Sequence, residues 1–220
     1  MKKILFVCTG NTCRSPMAEA LLKKIAQEAG IEVEVKSAGV SAMEGSLAAE
    51  QASQVLMERG IEHSHRSQML SPELVRWADL ILTMTARHKF DIQYNYPESV
   101  DKIYTLKEYA NQNTKVMELY QQLDRIYVEM ENKRVEIRAR YSLTPDKPWP
   151  KEAEEAWRKE IVPLRKREQE LLILLEQKRD NVDVSDPFGG SVDVYRQCAD
   201  ELEREIRKIV AKWNRSSDAR

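Results

Sequence analysis

Lys3-Ile4-Leu5-Phe6-Val7-Cys8-Thr9-Gly10-Asn11-Thr12-Cys13-Arg14-Ser15-Pro16 reads as a buried strand, a tight loop and a helix start in one continuous stretch. The run from Ile4 to Val7 is apolar at every position, as a strand covered on both faces of a parallel sheet requires. Ser15 can cap a helix whose first position is Pro16, with Met17, Ala20, Leu21, Lys24 and Ile25 at helical spacing. The backbone N–H groups between Cys8 and Ser15, with the positive end of the helix dipole, are then expected to face a concavity of phosphate size. A thiol ringed by N–H dipoles and a guanidinium is a nucleophile, which assigns that role to Cys8. Arg14 can hold two phosphoryl oxygens as a planar fork, which a lysine could not. The bland alternative, a buried cysteine followed by a loop arginine paired with a surface carboxylate, leaves the strand and helix context unexplained.

Further along, residues 32–37 alternate apolar and polar side chains and predict a second strand, ending at Ser37-Ala38-Gly39 beside the first. Residues 46–59 read as a helix closed by Gly60, and Ser71-Pro72-Glu73 opens a shorter one through Trp77. Residues 79–84 and 102–106 predict a third and a fourth strand. A last helix is expected over 192–213, with Val192, Tyr195, Ala199, Leu202, Ile206, Ile209 and Trp213 facing the sheet. Strands alternating with helices predict the α/β class: an open, mainly four-stranded parallel sheet with helices on both faces. Ligands bind such sheets at the carboxyl ends of the strands, where Cys8 lies.

Residues 112–180 break this pattern. Val116, Leu119, Leu123, Ile126, Met130, Ile137 and Tyr141 approximate a heptad seam interrupted by Lys133, and Trp157, Ile161, Leu164, Leu171 and Leu175 form a second one. Residues 144–150, TPDKPWP, cannot continue a helix and read as a turn. The expected organisation is one domain from 1–111 and 181–220, with 112–180 an inserted antiparallel hairpin resembling a coiled coil. An arm from Thr114 to Tyr141 would span about 42 Å at about 1.5 Å per residue. Pro163 is expected to kink the second arm or to start a new helix.

With 35 basic against 36 acidic residues and a net charge of -1, nothing favours nucleic acid or an anionic membrane as the main partner. No apolar run reaches the roughly 18 residues of a membrane span, and the N-terminus lacks the basic flank and cleavage site of a signal peptide. The three cysteines make no secreted disulfide framework, and the expectation is a soluble cytoplasmic protein with a reactive thiol. Cys13 invites a metal reading with Cys8, but no further His or Cys cluster supplies ligands, and neither metal nor cofactor is expected. Asp186-Pro187 follows the hairpin and precedes a Gly-Gly turn, so Asp186 falls on a loop; general acid and turn residue are both open readings.

Cys-x5-Arg-Ser after a single N-terminal strand resembles the low-molecular-weight protein tyrosine phosphatase family. Residues 8–19, CTGNTCRSPMAE, with Asp186-Pro187-Phe188-Gly189-Gly190 downstream, are most similar to its bacterial protein arginine phosphatase branch. The resemblance covers about residues 1–110 and 182–213. It implies that Cys8, Arg14 and Asp186 are catalytic, Asp186 as general acid and then general base. It further implies that Thr9, Gly10, Asn11, Thr12, Cys13 and Ser15 bind phosphate, that Ser37 and His65 join Asn11 and Ser15 in a network supporting the loop, and that Phe188 walls the pocket. It also favours a protective Cys8–Cys13 disulfide, with simple packing of Cys13 the alternative. Threonine at position 12 marks the relatives that act on phosphoarginine, where tyrosine-specific relatives carry a larger aliphatic residue.

The expected activity is metal-independent hydrolysis of protein phosphoarginine through a phosphocysteine. Protein phosphotyrosine is the second substrate choice. Thiol-coupled arsenate reduction needs a resolving cysteine pair that Cys198 alone does not supply. The competing class is an interaction protein, in which residues 112–180 self-associate or dock a partner.

Overall fold

The structure, a computed structural model, describes residues 1–111, 114–143, 148–177 and 182–217. It divides into two compact units, Met1–Asn111 with Asn181–Arg220, and Gln112–Asp180.

The first unit is built on four strands, β1 (Lys2–Cys8), β2 (Val33–Gly39), β3 (Leu80–Thr83) and β4 (Ile103–Thr105). They lie in the order β2-β1-β3-β4, all parallel, with Cys8 opposite Gly39 and Val7 opposite Thr83. β1 is central, and its alternate side chains feed two cores. Ile4, Phe6 and Cys8 join one with Met17, Leu21, Leu202 and Ile206, while Leu5 and Val7 join another with Val75, Ile81, Ile92 and Ile103. That double coverage is why its sequence is continuously apolar.

Around the sheet lie α1 (Arg14–Glu28), α2 (Glu50–Glu58), α3 (Pro72–Trp77), α4 (Ala86–Asn95) and α5 (Leu106–Asn111), with α8 (Val192–Ser217) last in the chain. The α8 stripe from Tyr195 to Trp213 is buried as expected, but it packs on α1, α2 and α5, reaching the sheet core through them. Two local expectations are corrected. Ser15 is not the cap of α1, which starts at Arg14 with Cys13 preceding it and no side-chain cap. Residues 46–49 are not helical, because the Ala49 N–H is drawn to the Thr12 carbonyl at 2.8 Å. Helices α4 and α5 were not anticipated, although Thr85 caps α4 by accepting from the His88 N–H. Thr105 and Glu108 form a reciprocal capping box at the start of α5, at 3.2 and 3.0 Å.

The second unit is the pair α6 (Thr114–Arg140) and α7 (Lys151–Gln177). Leu123 and Ile126 pack with Leu171 and Leu175, while Lys133 reaches Glu160 at 3.7 Å, so the pair is antiparallel. The polar interruption at Lys133 is thereby an ion-pair position, shared with Glu136. α6 ends in a Schellman motif: Ser142 is left-handed at φ 50°, its N–H bonds Ala139, and the Leu143 N–H bonds Arg138. α7 runs through Pro163 with no new start there. The expected turn at 144–150 falls partly, and the seam side chain of Val116 wholly, outside the described residues. Leu172, Ile173 and Leu174 are exposed on α7.

Candidate active site

The β1–α1 loop is shaped by how its carbonyls are held. Cys8 O accepts from Val40 N–H at 3.0 Å, Thr9 O from Ser41 N–H at 2.9 Å and Thr12 O from Ala49 N–H at 2.8 Å. Asn11 O accepts from His65 Nε2 and Ser67 Oγ, each at 2.7 Å. In a trans peptide the N–H points opposite the preceding carbonyl, so the N–H groups of Thr9, Gly10, Thr12 and Cys13 turn to the other side of the loop. The result is a nest of donors suited to an anion. Gly39 makes the close approach possible, since a Cβ there would sit 2.4 Å from the Thr9 carbonyl oxygen.

Cys8 is buried at the loop floor, its Sγ 3.0 Å from Ser15 Oγ and 3.3 Å from the Asn11 N–H. Ser15 is therefore committed to the thiol, and to Asn11 Nδ2 at 2.9 Å, which is the reason it caps nothing. Arg14, also buried, donates through Nη2 to Asp186 Oδ2 at 2.8 Å and through Nη1 to Val184 O at 3.4 Å. The Asp186 side chain is 55% exposed. A cavity of about 480 Å³ opens here, lined by Thr9, Arg14, Arg87, His88, Asp183 and Asp186 among others. Phe188, expected as a pocket wall, is 79% exposed and lies outside the residues that line this cavity, its N–H bonding Asp186 Oδ1 at 3.2 Å.

Asn11 ties the loop together. At φ 55° it donates from Nδ2 to Ser15 Oγ and Ser37 Oγ, both at 2.9 Å, and accepts at Oδ1 from the Gln68 N–H. Ser37 in turn donates to Glu19 Oε2 at 2.7 Å. The expected set Asn11, Ser15, Ser37 and His65 is thus brought together. Ser67, Gln68 and Glu19 belong to the same network and had no local signal.

Cys8 and Cys13 are free thiols with different partners: Cys13 Sγ lies 3.1 Å from Tyr195 Oη and 3.5 Å from Thr12 Oγ1. Both groups are buried, and burial with the Cys13 contact pushes the Tyr195 hydroxyl well above its usual range. His88 is the residue that sequence reasoning missed. Its Nε2 meets Thr9 Oγ1 and its Nδ1 meets Thr85 Oγ1, each at 2.8 Å. Burial, with the Arg14 charge adding to it, pushes His88 down to about 4, so a neutral imidazole stands at the cavity wall. Its legible signal was the Thr85-x-x-His88 helix start.

A family model described as low molecular weight phosphotyrosine protein phosphatase matches residues 3–137, the part of the chain that carries the strand and the Cys-x5-Arg nest. The chain belongs to this family. The match runs into α6, beyond the first block of resemblance anticipated at about residue 110. Among relatives in this phosphatase family, a protein-arginine-phosphatase of Geobacillus stearothermophilus is 36% identical, aligned over 96% of this chain and 95% of its own length. A protein-arginine-phosphatase of Bacillus subtilis is 34% identical over 94% and 93%. A mutant of the arginine phosphatase YwlE with a phosphorylated active-site serine superposes with a TM-score of 0.63 at 33% identity, covering 96% of this chain and 95% of that one. Among the described residues no helix is long and apolar enough to cross a membrane.

Proposed function

We propose that this phosphatase hydrolyses phosphoarginine in proteins through a phosphocysteine at Cys8. The observation that carries the reading is the alignment of a buried thiol, held by Ser15 and the Asn11 N–H, with Arg14 reaching Asp186 at 2.8 Å across the mouth of the nest. In the first step Cys8 Sγ forms a bond to phosphorus as the P–N bond of the substrate breaks, and Asp186 gives its proton to the departing guanidine nitrogen. In the second, Asp186 takes a proton from water, the water oxygen bonds phosphorus, and the S–P bond breaks to restore the Cys8 thiolate. The equatorial oxygens are held by the loop N–H groups of residues 9, 10, 12 and 13 and by Arg14, so positioning and electrostatics supply most of the acceleration. The Arg14–Asp186 pair is the resting arrangement; an incoming phosphoryl group takes over the guanidinium and frees the carboxyl.

The substrate choice is supported by the names of the full-length relatives and by Thr12, a small hydroxyl-bearing residue beside the nest. A nucleophile that works only when reduced suits the cytoplasm, which we assign as its compartment. Acid quenching during turnover, followed by mass spectrometry, is expected to find the phosphoryl group on the Cys8 peptide. Cys8→Ser should abolish hydrolysis and Asp186→Asn should lower kcat about 10²-fold. Hydrolysis surviving in Cys8→Ala would overturn the mechanism.

A further inference from the structure

Behind the phosphate nest, on the side away from the cavity, Glu19 of α1 meets His63 and His65 of the loop that follows α2. One ligand atom from each lies within 4.8 Å of the other two. The rings of His63 and His65 stack at 5.7 Å with their planes 26° apart. His63 Nε2 is buried with no hydrogen-bond partner, an unusual state for a polar atom. His65 is fixed from the other end. A carbonyl can only accept, so Nε2 carries the proton it donates to Asn11 O at 2.7 Å, and in the neutral ring Nδ1 keeps its lone pair. This is the arrangement by which an outer carbonyl orients a metal-binding histidine. The present cation at Glu19 is the Lys23 ammonium, 2.5 Å from Oε1 on a half-exposed side chain.

We propose that Glu19, His63 and His65 form a binding site for a zinc-class divalent cation, and that its occupancy slows turnover through the Asn11 network. Two imidazoles and one carboxylate match zinc and its neighbours better than calcium or magnesium, which prefer all-oxygen shells. Tetrahedral zinc with bonds of about 2.1 Å needs ligand atoms about 3.4 Å apart. Closing to that spacing requires Glu19 to turn off Lys23 and half-buried His63 to shift toward it. The coupling to the nest is direct. Ser37 donates to Glu19 Oε2 and accepts from Asn11 Nδ2, and His65 holds Asn11 O, so a cation that draws Glu19 and His65 together loads both ends of the network holding the loop. Lys23 competes with the metal for the same carboxylate oxygen.

Binding is tested apart from catalysis, by calorimetric titration of zinc chloride into the full chain carrying Cys8→Ser. One equivalent is expected, weakened at least about tenfold by His63→Ala or His63→Gln and tightened by Lys23→Met. Cobalt(II) in its place should show no thiolate charge-transfer band. Binding untouched by both His63 substitutions, or a thiolate band, would overturn the site. The kinetic part rests on the phosphatase reading and uses a small aryl phosphate. Zinc should lower kcat of the wild type with KM unchanged, and His63→Ala should keep the metal-free kcat and lose the inhibition. Competitive inhibition, or inhibition that survives His63→Ala, would overturn the coupling while leaving the phosphatase assignment intact.

Discussion

Asn11 holds a left-handed backbone and bonds six residues, Cys8, Ser15, Ser37, His65, Ser67 and Gln68. Asn11→Ala keeps the backbone bonds and deletes the side-chain ones, leaving buried partners unsatisfied. The expected cost is about 1–3 kcal/mol of stability, with kcat lowered about 10²-fold, readable by thermal unfolding and steady-state kinetics. His88 gives a pH dependence of definite sign. Its folded value of about 4 lies below the ordinary 6.5, because burial and Arg14 outweigh the opposing Asp91, Asp183 and Asp186. The unfolded chain therefore binds the extra proton between those values, so the stability His88 contributes is full above about pH 6.5 and is lost as pH falls toward about 4. Unfolding midpoints measured across that range should fall with acid in the wild type and flatten in His88→Gln. Cys8 and Arg14 were legible because their chemistry sits in one short stretch. Gln68 and Glu19 were not, because their hydrogen bonds join residues far apart in the chain, and a polar side chain in a loop carries no mark of its distant partner.

At the scale of elements, β1 and α8 were legible from continuous and periodic apolar runs, the strongest pattern signals available. α4 and α5 escaped because a helix of ten or six residues shows too few turns for a period. Their marks were the caps Thr85 and Thr105. At the start of α1 a tertiary demand on Ser15 overrode its local preference to cap. Pro163 shows the same competition in α7, where packing of Leu164, Leu171 and Leu175 keeps one helix through a residue that removes a backbone donor. Pro163 is exposed, so Pro163→Ala loses little packing. It should stabilise α7 by up to about 3 kcal/mol, seen as a higher midpoint for the helical transition. A lower midpoint would mean that the proline conformation is required there.

Over the whole molecule, the first unit has its own two cores and holds every residue of the candidate site, while the second has a separate seam around Leu123, Ile126, Leu171 and Leu175. The apolar side chains that α7 exposes do no work in that seam. Substrate choice is the least local property of all, since it depends on what a guanidine or a phenol meets at the mouth of the nest. The sequence carried it in Thr12 and in the Asp186-Pro187-Phe188-Gly189-Gly190 stretch, and only by resemblance. The most direct measurement is kcat/KM on a phosphoarginine peptide and a phosphotyrosine peptide in parallel, for wild type and Thr12→Ile. A preference for phosphoarginine of at least about tenfold, cut or reversed by Thr12→Ile, is the predicted result. A wild-type preference for phosphotyrosine would contradict it.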